Sequence, residues 1–294
     1  MNKFKLLIIS ALLSSCMRLD SQLFNNSEVN QYLFDDYKGI KELPELPNSF
    51  SVADSMRHLF SLTSTGKNGD AKIYAVYIGD LNRIATDTVI LYCHGNSNHI
   101  DRYWNRAKLL AHTGSKHRFG VLIFDYRGFG MSEGKPTETD LYNDTEAVLK
   151  WLLSKGSTSD RLIVYGYSLG SAPATEVAAN NFTLKPNKLI LEAPFSSSEM
   201  MVQDGSKLAL PGSYFTNNKI DNAEEIKKVS QPFMWIHGVE DDFLRIETHG
   251  EIVYKNHKGS YKEAHRILKA NHSDVPSVWG IESYRKAVLE FILR

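Results

Sequence analysis

The sequence predicts an α/β domain with a mostly parallel sheet and helices on both faces, and three observations carry that reading. Short apolar runs alternate with helical patterns from about residue 70 to the C terminus, as successive βαβ units require. The chemically interesting polar clusters each directly follow one of those runs, and in such sheets ligands gather beyond the carboxyl ends of the strands. The third observation is the stretch Arg161-Leu-Ile-Val-Tyr-Gly166-Tyr167-Ser168-Leu169-Gly170-Ser171-Ala172-Pro173. It reads as a buried strand, a turn too tight for side chains beside its serine, and a helix of small residues.

The elements follow in order. Asn2 to Lys5 is a short basic segment, and Leu6 to Leu13 is an apolar run too short to span a bilayer. It ends in Leu13-Ser14-Ser15-Cys16, which resembles a bacterial lipoprotein signal. Residues 1–15 are therefore expected to be a signal peptide, with Cys16 the lipidated first residue of the mature chain. The alternative is an ordinary signal peptide with an incidental cysteine. Residues 16–49, rich in Asn, Ser and Asp and carrying Pro44 and Pro47, read as a tether, and 50–294 as the globular domain.

Within that domain, Ala71 to Ile78 alternates as a strand does. Thr88 to Cys93 is a continuous apolar run, expected to be a central buried strand. It stops at His94-Gly95-Asn96-Ser97, and a helical pattern follows through Trp104, Ala107, Leu110 and Ala111. Val121 to Phe124 is the next strand, closed by Asp125-Tyr126-Arg127-Gly128-Phe129-Gly130, with a helix over about 139–155. After the Ser168 unit come strands at Lys188 to Leu191 and Pro232 to Gly238, a helix over 247–254, a short strand over 264–268 and a closing helix over 277–293. The insertion at about 195–229 is expected to be a small cap. Its Met200, Met201, Val202, Leu208, Leu210, Pro211, Tyr214 and Phe215 suit either plain helix packing or an acyl pocket.

Composition narrows the function. The chain has 34 basic and 34 acidic residues, so nothing favours nucleic acid as a partner. The two cysteines are Cys16 and Cys93. If the first is lipidated the second has no partner, and no disulfide is expected. Cys93 on a buried strand is most simply a small apolar residue. Neither C-x-x-C nor H-E-x-x-H occurs, so no metal or other cofactor is expected. Gly128-Phe-Gly130-x-x-x-Gly134 does not match a dinucleotide-binding G-x-G-x-x-G, and Pro136 interrupts it.

Gly166-x-Ser168-x-Gly170 has the spacing of a nucleophile elbow, although a chain of this length shows that spacing by chance roughly one time in ten. Its weight comes from the strand before it, the helix after it, and the groups downstream. A serine hydroxyl is a poor nucleophile until a base takes its proton, and the base needs a carboxylate to hold its tautomer. Candidates follow two later strands: His237-Gly-Val-Glu240-Asp241-Asp242 and Lys269-Ala-Asn-His272-Ser-Asp274. We assign Asp241 as the carboxylate and His272 as the base, in the order Ser, Asp, His.

Taken together, His94-Gly95-Asn96, Asp125-Tyr-Arg-Gly-Phe-Gly130-x-Ser132-x-Gly134, Gly166-x-Ser168-x-Gly170, Glu192-Ala-Pro-Phe195, His237-Gly238-x-x-Asp241 and His272 resemble an α/β-hydrolase superfamily serine hydrolase. The resemblance is to the branch of small esterases, acyl-protein thioesterases and prolyl-aminopeptidase-like enzymes, and it runs from about residue 70 to the end. It implies the α/β-hydrolase fold. By its spacing it selects Asp241 over Glu240 and Asp242, and His272 over His257 and His265. An oxyanion hole needs two fixed N–H donors. Leu169, directly after the nucleophile, supplies one, and the resemblance points to Asn96 for the second, with Ser97 the runner-up. Related dehalogenases carry Asp where this chain has Ser168, which argues against dehalogenation or epoxide opening.

The expected activity is hydrolysis of an ester or thioester acyl bond in a small acylated substrate. A peptidase is the alternative within enzymes, with Glu199 and Asp204 as the nearby candidates to bind a free amine. A non-catalytic surface lipoprotein on the same scaffold is the alternative outside them. His94 and His237 are expected to be structural, and His99, His112, His117 and His249 solvated. Asp125 and Arg127 are expected to pair. A lipid on Cys16 would hold the protein on a membrane after export, and Met17 rather than Asp after it implies, by the same resemblance to lipoprotein signals, the outer membrane if the cell has one.

Overall fold

The computed structural model describes residues 23–66, 69–114, 119–206, 212–214 and 216–294. The expected signal segment and Cys16 lie outside the described residues, as do His117 and the cap residues Leu208, Leu210, Pro211 and Phe215.

Eight strands build one sheet: β1 (Arg57–Ser64), β2 (Ala71–Ile78), β3 (Thr88–Cys93), β4 (Phe119–Phe124), β5 (Leu162–Tyr167), β6 (Lys188–Glu192), β7 (Phe233–Gly238) and β8 (Lys262–Ile267). Their spatial order is β8-β7-β6-β5-β3-β4-β2-β1. Strand β2 runs antiparallel to both neighbours, and every other pair is parallel. The crossovers carry α1 (Ile100–Thr113), α2 (Glu138–Ser154), α3 (Ser171–Ala179), α4 (Ser198–Ser206) and α5 (Gly250–Asn256), and α6 (Ile281–Leu293) closes the chain.

Period-2 alternation divides the strands between two cores. In β3, Val89, Leu91 and Cys93 face a layer that includes Leu141, Val148, Leu152, Val177 and Val253 of α2, α3 and α5. Ile90 and Tyr92 face the opposite layer with Trp104 and Leu110 of α1 and Val288 and Phe291 of α6. Continuous apolar runs are what strands covered on both faces need, which is why the central strands were readable.

Edge strand β1 was not. Its Arg-His-Leu-Phe-Ser-Leu-Thr-Ser sequence is mostly polar, and Leu59 stays 43% exposed. Its register comes from pairing with β2 along its full length and from Phe60 stacking on Trp151 at 4.2 Å. The closing helix differs as well: a short turn over Val275–Trp279 stops at Gly280, whose φ of +90° favours glycine, and α6 starts afresh.

The tether expected over 16–49 is corrected for residues 23–49, which pack on the domain. Leu23, Tyr32 and Leu43 are buried, and Glu42 forms a buried ion pair with Arg106 of α1. Asn105 Nδ2 donates to the carbonyls of Leu43 and Pro44 at 3.0 Å each. The polar composition suggested solvent, but Leu23, Tyr32 and Leu43 enter the body while Ile40 stays exposed, and Asn105 and Arg106 of α1 meet Leu43, Pro44 and Glu42.

Register positions the functional rim. Cys93 of β3 lies opposite Gly166 of β5, so the loop beginning at His94 and the turn at Ser168 leave the sheet side by side. Ile267 of β8 lies opposite Gly238 of β7, which sets the loops carrying Asp241 and His272 next to each other.

Candidate active site

Ser168 sits at φ +51°, a left-handed conformation that costs an L-residue roughly 1–2 kcal/mol. Its two glycines permit the turn. A Cβ on Gly166 would come within 2.6 Å of the Gly170 carbonyl and 2.7 Å of Ala174 Cβ, and one on Gly170 would overlap the Cys93 carbonyl. Strand β5 thus passes through a short turn at Ser168–Gly170 into α3.

Ser168 Oγ donates to His272 Nε2 at 3.0 Å, and His272 Nδ1 donates to Asp241 Oδ2 at 2.8 Å. Asp241 Oδ1 accepts the backbone N–H groups of Phe243 (3.0 Å) and Leu244 (2.7 Å). These bonds fix the carboxylate, and therefore the imidazole tautomer. Neighbouring Glu240 and Asp242 are exposed. His265 lies against Glu263, and His257 bonds the Gln231 carbonyl, so neither shares the Ser168 contact.

His237 supports Asp241 from beneath. Trp235 Nε1 is only a donor and faces His237 Nδ1 at 3.3 Å, so the His237 proton is on Nε2. From there it reaches Asp241 Oδ2 at 3.2 Å and the Leu244 carbonyl at 2.9 Å. Burial alone would raise the Asp241 pKa. Hydrogen bonds from His237 and His272 outweigh it and hold the carboxyl well below the usual range. Tyr167 and Phe243 flank the His272 ring at 5.5 and 5.1 Å between centroids, and Tyr167 Oη donates to the His272 carbonyl at 3.2 Å.

Asn96 and Ser97 line a cavity of about 560 Å³ together with Ser168 and His272. The Ser97 N–H is given to Tyr103 Oη at 3.0 Å, and the Asn96 side-chain oxygen accepts the Asn25 N–H at 2.7 Å. Leu169 follows Ser168 in the turn and is buried.

Several expectations are corrected. Asp125 and Arg127 do not pair. Asp125 lies 3.0 Å from His94 Nε2 and accepts from the Ile100 N–H (3.0 Å) and Tyr32 Oη (2.6 Å), while Arg127 pairs with Asp144 at 2.9 Å and Asp140 at 3.3 Å. Each charged group found a partner closer in space than in sequence. His99 and His249 are buried rather than solvated. The described cap residues do not wall the cavity; its far side is Phe24, Asn25, Glu42 and Arg102. Asp204, a candidate to bind a free amine, is taken by Arg245 at 3.0 Å and Thr248 Oγ1 at 2.6 Å.

Tyr167, Phe243, Arg102 and the residues before 50 were not singled out from the sequence. Tyr167 carried a weak signal, being the variable residue inside the elbow. The others owe their place to folding. Among the described residues, no cluster of three or more His, Cys, Asp or Glu side chains is disposed to hold a metal ion, and no helix is long and apolar enough to cross a membrane.

Several known proteins are similar to parts of this chain. The profile of the family described as "Serine aminopeptidase, S33" matches residues 84–231. Human "Alpha/beta hydrolase domain-containing protein 17B" is 29% identical over 63% of this chain and 60% of its own length, so the chain spans less than two thirds of that relative. "Uncharacterized protein YfhR" of Escherichia coli is 29% identical over 72% of this chain and 71% of its own. Among solved structures, Pyrococcus furiosus esterase Pf2001 aligns with a TM-score of 0.66 at 21% identity, over 88% of this chain and 98% of that one. That likeness is one of fold.

Proposed function

Because the chain belongs to the serine aminopeptidase S33 family of α/β-hydrolases, we propose that it is a serine hydrolase that cleaves ester or thioester acyl bonds at Ser168. The observation that carries this reading is the continuous contact from Ser168 Oγ through His272 to Asp241. His272 Nε2 takes the Oγ proton as Oγ bonds to the acyl carbon. The carbonyl electron pair moves to oxygen, where the Leu169 and Asn96 amides would hold the negative charge. Asp241, kept ionised by its surroundings, stabilises the imidazolium. The tetrahedral centre then collapses, the bond to the leaving oxygen or sulfur breaks, and His272 gives that atom its proton. Water, deprotonated by His272, reverses the sequence and frees the acid.

Ester or thioester cleavage is favoured over aminopeptidase action because the acidic side chains available for an amine are engaged or displaced. Asp204 is paired with Arg245, Glu42 with Arg106, and exposed Glu199 is not in the cavity wall. Incubation with a fluorophosphonate probe followed by peptide mass analysis should find the adduct on Ser168, and a panel of p-nitrophenyl esters against aminoacyl anilides should show ester turnover. An unlabelled protein inert to both substrates would leave a non-catalytic scaffold.

We further propose export and anchoring through a lipid on Cys16. Phe24, in the cavity wall, is eight residues from Cys16, a reach of at most about 29 Å. The site would then work close to a bilayer. Metabolic labelling with a fatty-acid analogue, lost in Cys16→Ser, tests this.

A further inference from the structure

The segment before residue 50 is stitched to the rim that carries the site. Asn25 and Asn26 pair as a short parallel ladder with Ser97 and Asn98, in the loop that follows β3. The Asn25 N–H donates to Asn96 Oδ1 at 2.7 Å. Asn26 Nδ2 donates to the Gly128 carbonyl, the Gly130 N–H to the Ser27 carbonyl (2.8 Å) and the Val29 N–H to the Gly130 carbonyl (2.9 Å). Tyr32 Oη closes the strap on Asp125, whose other oxygen accepts the Ile100 N–H. The strap therefore bridges the loops after β3 and β4, and Phe24 faces the cavity shared by Ser168 and His272.

Loops at strand ends are mobile unless something pins them, and an oxyanion donor is useful only if its position is set before charge develops. Asn98 is held at φ +60°, an uncommon conformation that the ladder to Asn26 sustains. We propose that this strap is a working part of the acyl site. Asn25 is a positioning residue that fixes the Asn96 loop through its backbone N–H. Phe24 is a specificity residue whose ring bounds the space for the hydrocarbon part of the substrate. The proposal rests on the hydrolase reading above.

The test uses the folded chain with Asn25→Pro, which deletes the N–H, and with Phe24→Ala and Phe24→Trp. Two substrate series separate the acyl from the alcohol side: p-nitrophenyl acetate to octanoate, and methyl to octyl acetate. With Asn25→Pro, kcat on p-nitrophenyl acetate should fall about tenfold while KM changes less than about twofold and Tm holds. In one of the two series, the long-to-short ratio of kcat/KM should rise about tenfold in Phe24→Ala and fall in Phe24→Trp, the range that a hydrophobic pocket discriminates. Phe24 variants whose ratios stay within about twofold of wild type in both series would overturn the proposal, even if Asn25→Pro fails to fold. A wild type that turns over no ester and takes no fluorophosphonate would overturn the hydrolase reading and the strap with it. A wild type that turns over esters while the variants match it would overturn the strap alone.

Discussion

A serine at φ +51° is a stored conformational cost, tolerable only because its flanking glycines leave room for carbonyls of their own turn and of β3. Gly170→Ala should therefore be severe. The added methyl would overlap the Cys93 carbonyl, a backbone atom in the central strand, so a loss of about 3 kcal/mol or more is expected by urea denaturation. Ser168→Ala leaves that geometry alone. It should keep the wild-type Tm and lose ester turnover by at least about a thousandfold. At the acid, Asp241→Asn should lower kcat on the order of 10⁴-fold, because the amide cannot hold the same His272 tautomer. Exposed Asp242→Asn should stay within roughly a factor of two. A damaging Asp242→Asn beside an active Asp241→Asn would reverse the assignment. Spacing alone left three acidic residues in a row, and the resemblance chose among them. The structure supplies a physical reason, since Asp241 accepts the amides of Phe243 and Leu244 and faces two imidazoles.

At the scale of elements, the strap and α1 are joined through Arg106, which lies at the centre of a buried group. It bonds Glu42 of the strap and Glu192 at the end of β6, and Tyr165 and Tyr284 close round it. Burial pushes the Glu42 carboxyl upward against the pull of Arg106. Two carboxylates around one guanidinium make the cation indispensable. Arg106→Met should destabilise the protein by about 3–5 kcal/mol, measured by denaturant unfolding, because it strands buried acids. The grouping was not readable beforehand: Glu42, Arg106 and Glu192 lie far apart in sequence, Glu42 and Arg106 look like ordinary surface charges, and Glu192 entered only as part of a motif at a strand end. Edge strand β1 escaped for a related reason, since a strand half open to water shows little apolar pattern.

Across the whole molecule, the buried imidazoles and carboxylates couple folding to pH. His249 accepts the Ser196 N–H at Nδ1 and faces Asp204 at 3.5 Å. Burial pushes its pKa down to about 4 from 6.5, against the pull of Asp204. The unfolded chain binds this proton more readily, so His249 lowers stability as pH falls from 6.5 towards about 4, by on the order of 2–3 kcal/mol. Asp241 acts in the same direction at lower pH. Its folded pKa is depressed, so its stabilisation is present above the ordinary carboxylate range and is lost as pH falls through and below it. Urea midpoints measured from pH 7.5 to 4 should fall steadily, and His249→Gln should flatten the upper part of that decline. A midpoint independent of pH across that window would contradict the buried neutral His249.

The sequence by itself determined the alternation of strands and helices, the elbow at Ser168, and the two downstream clusters of acids and imidazoles, among which the family resemblance chose Asp241 and His272. Those features are local: apolar runs, glycine spacings, and polar clusters that directly follow strands. Tertiary structure alone decided what surrounds them. It drew residues 23–49 onto the domain, gave Arg127 to Asp144 and Asp140, buried His99 and His249, and walled the cavity with Phe24 and Arg102 in place of the described cap residues. Contacts between residues dozens of positions apart leave no periodic trace, because each is satisfied by whichever partner the fold brings within reach.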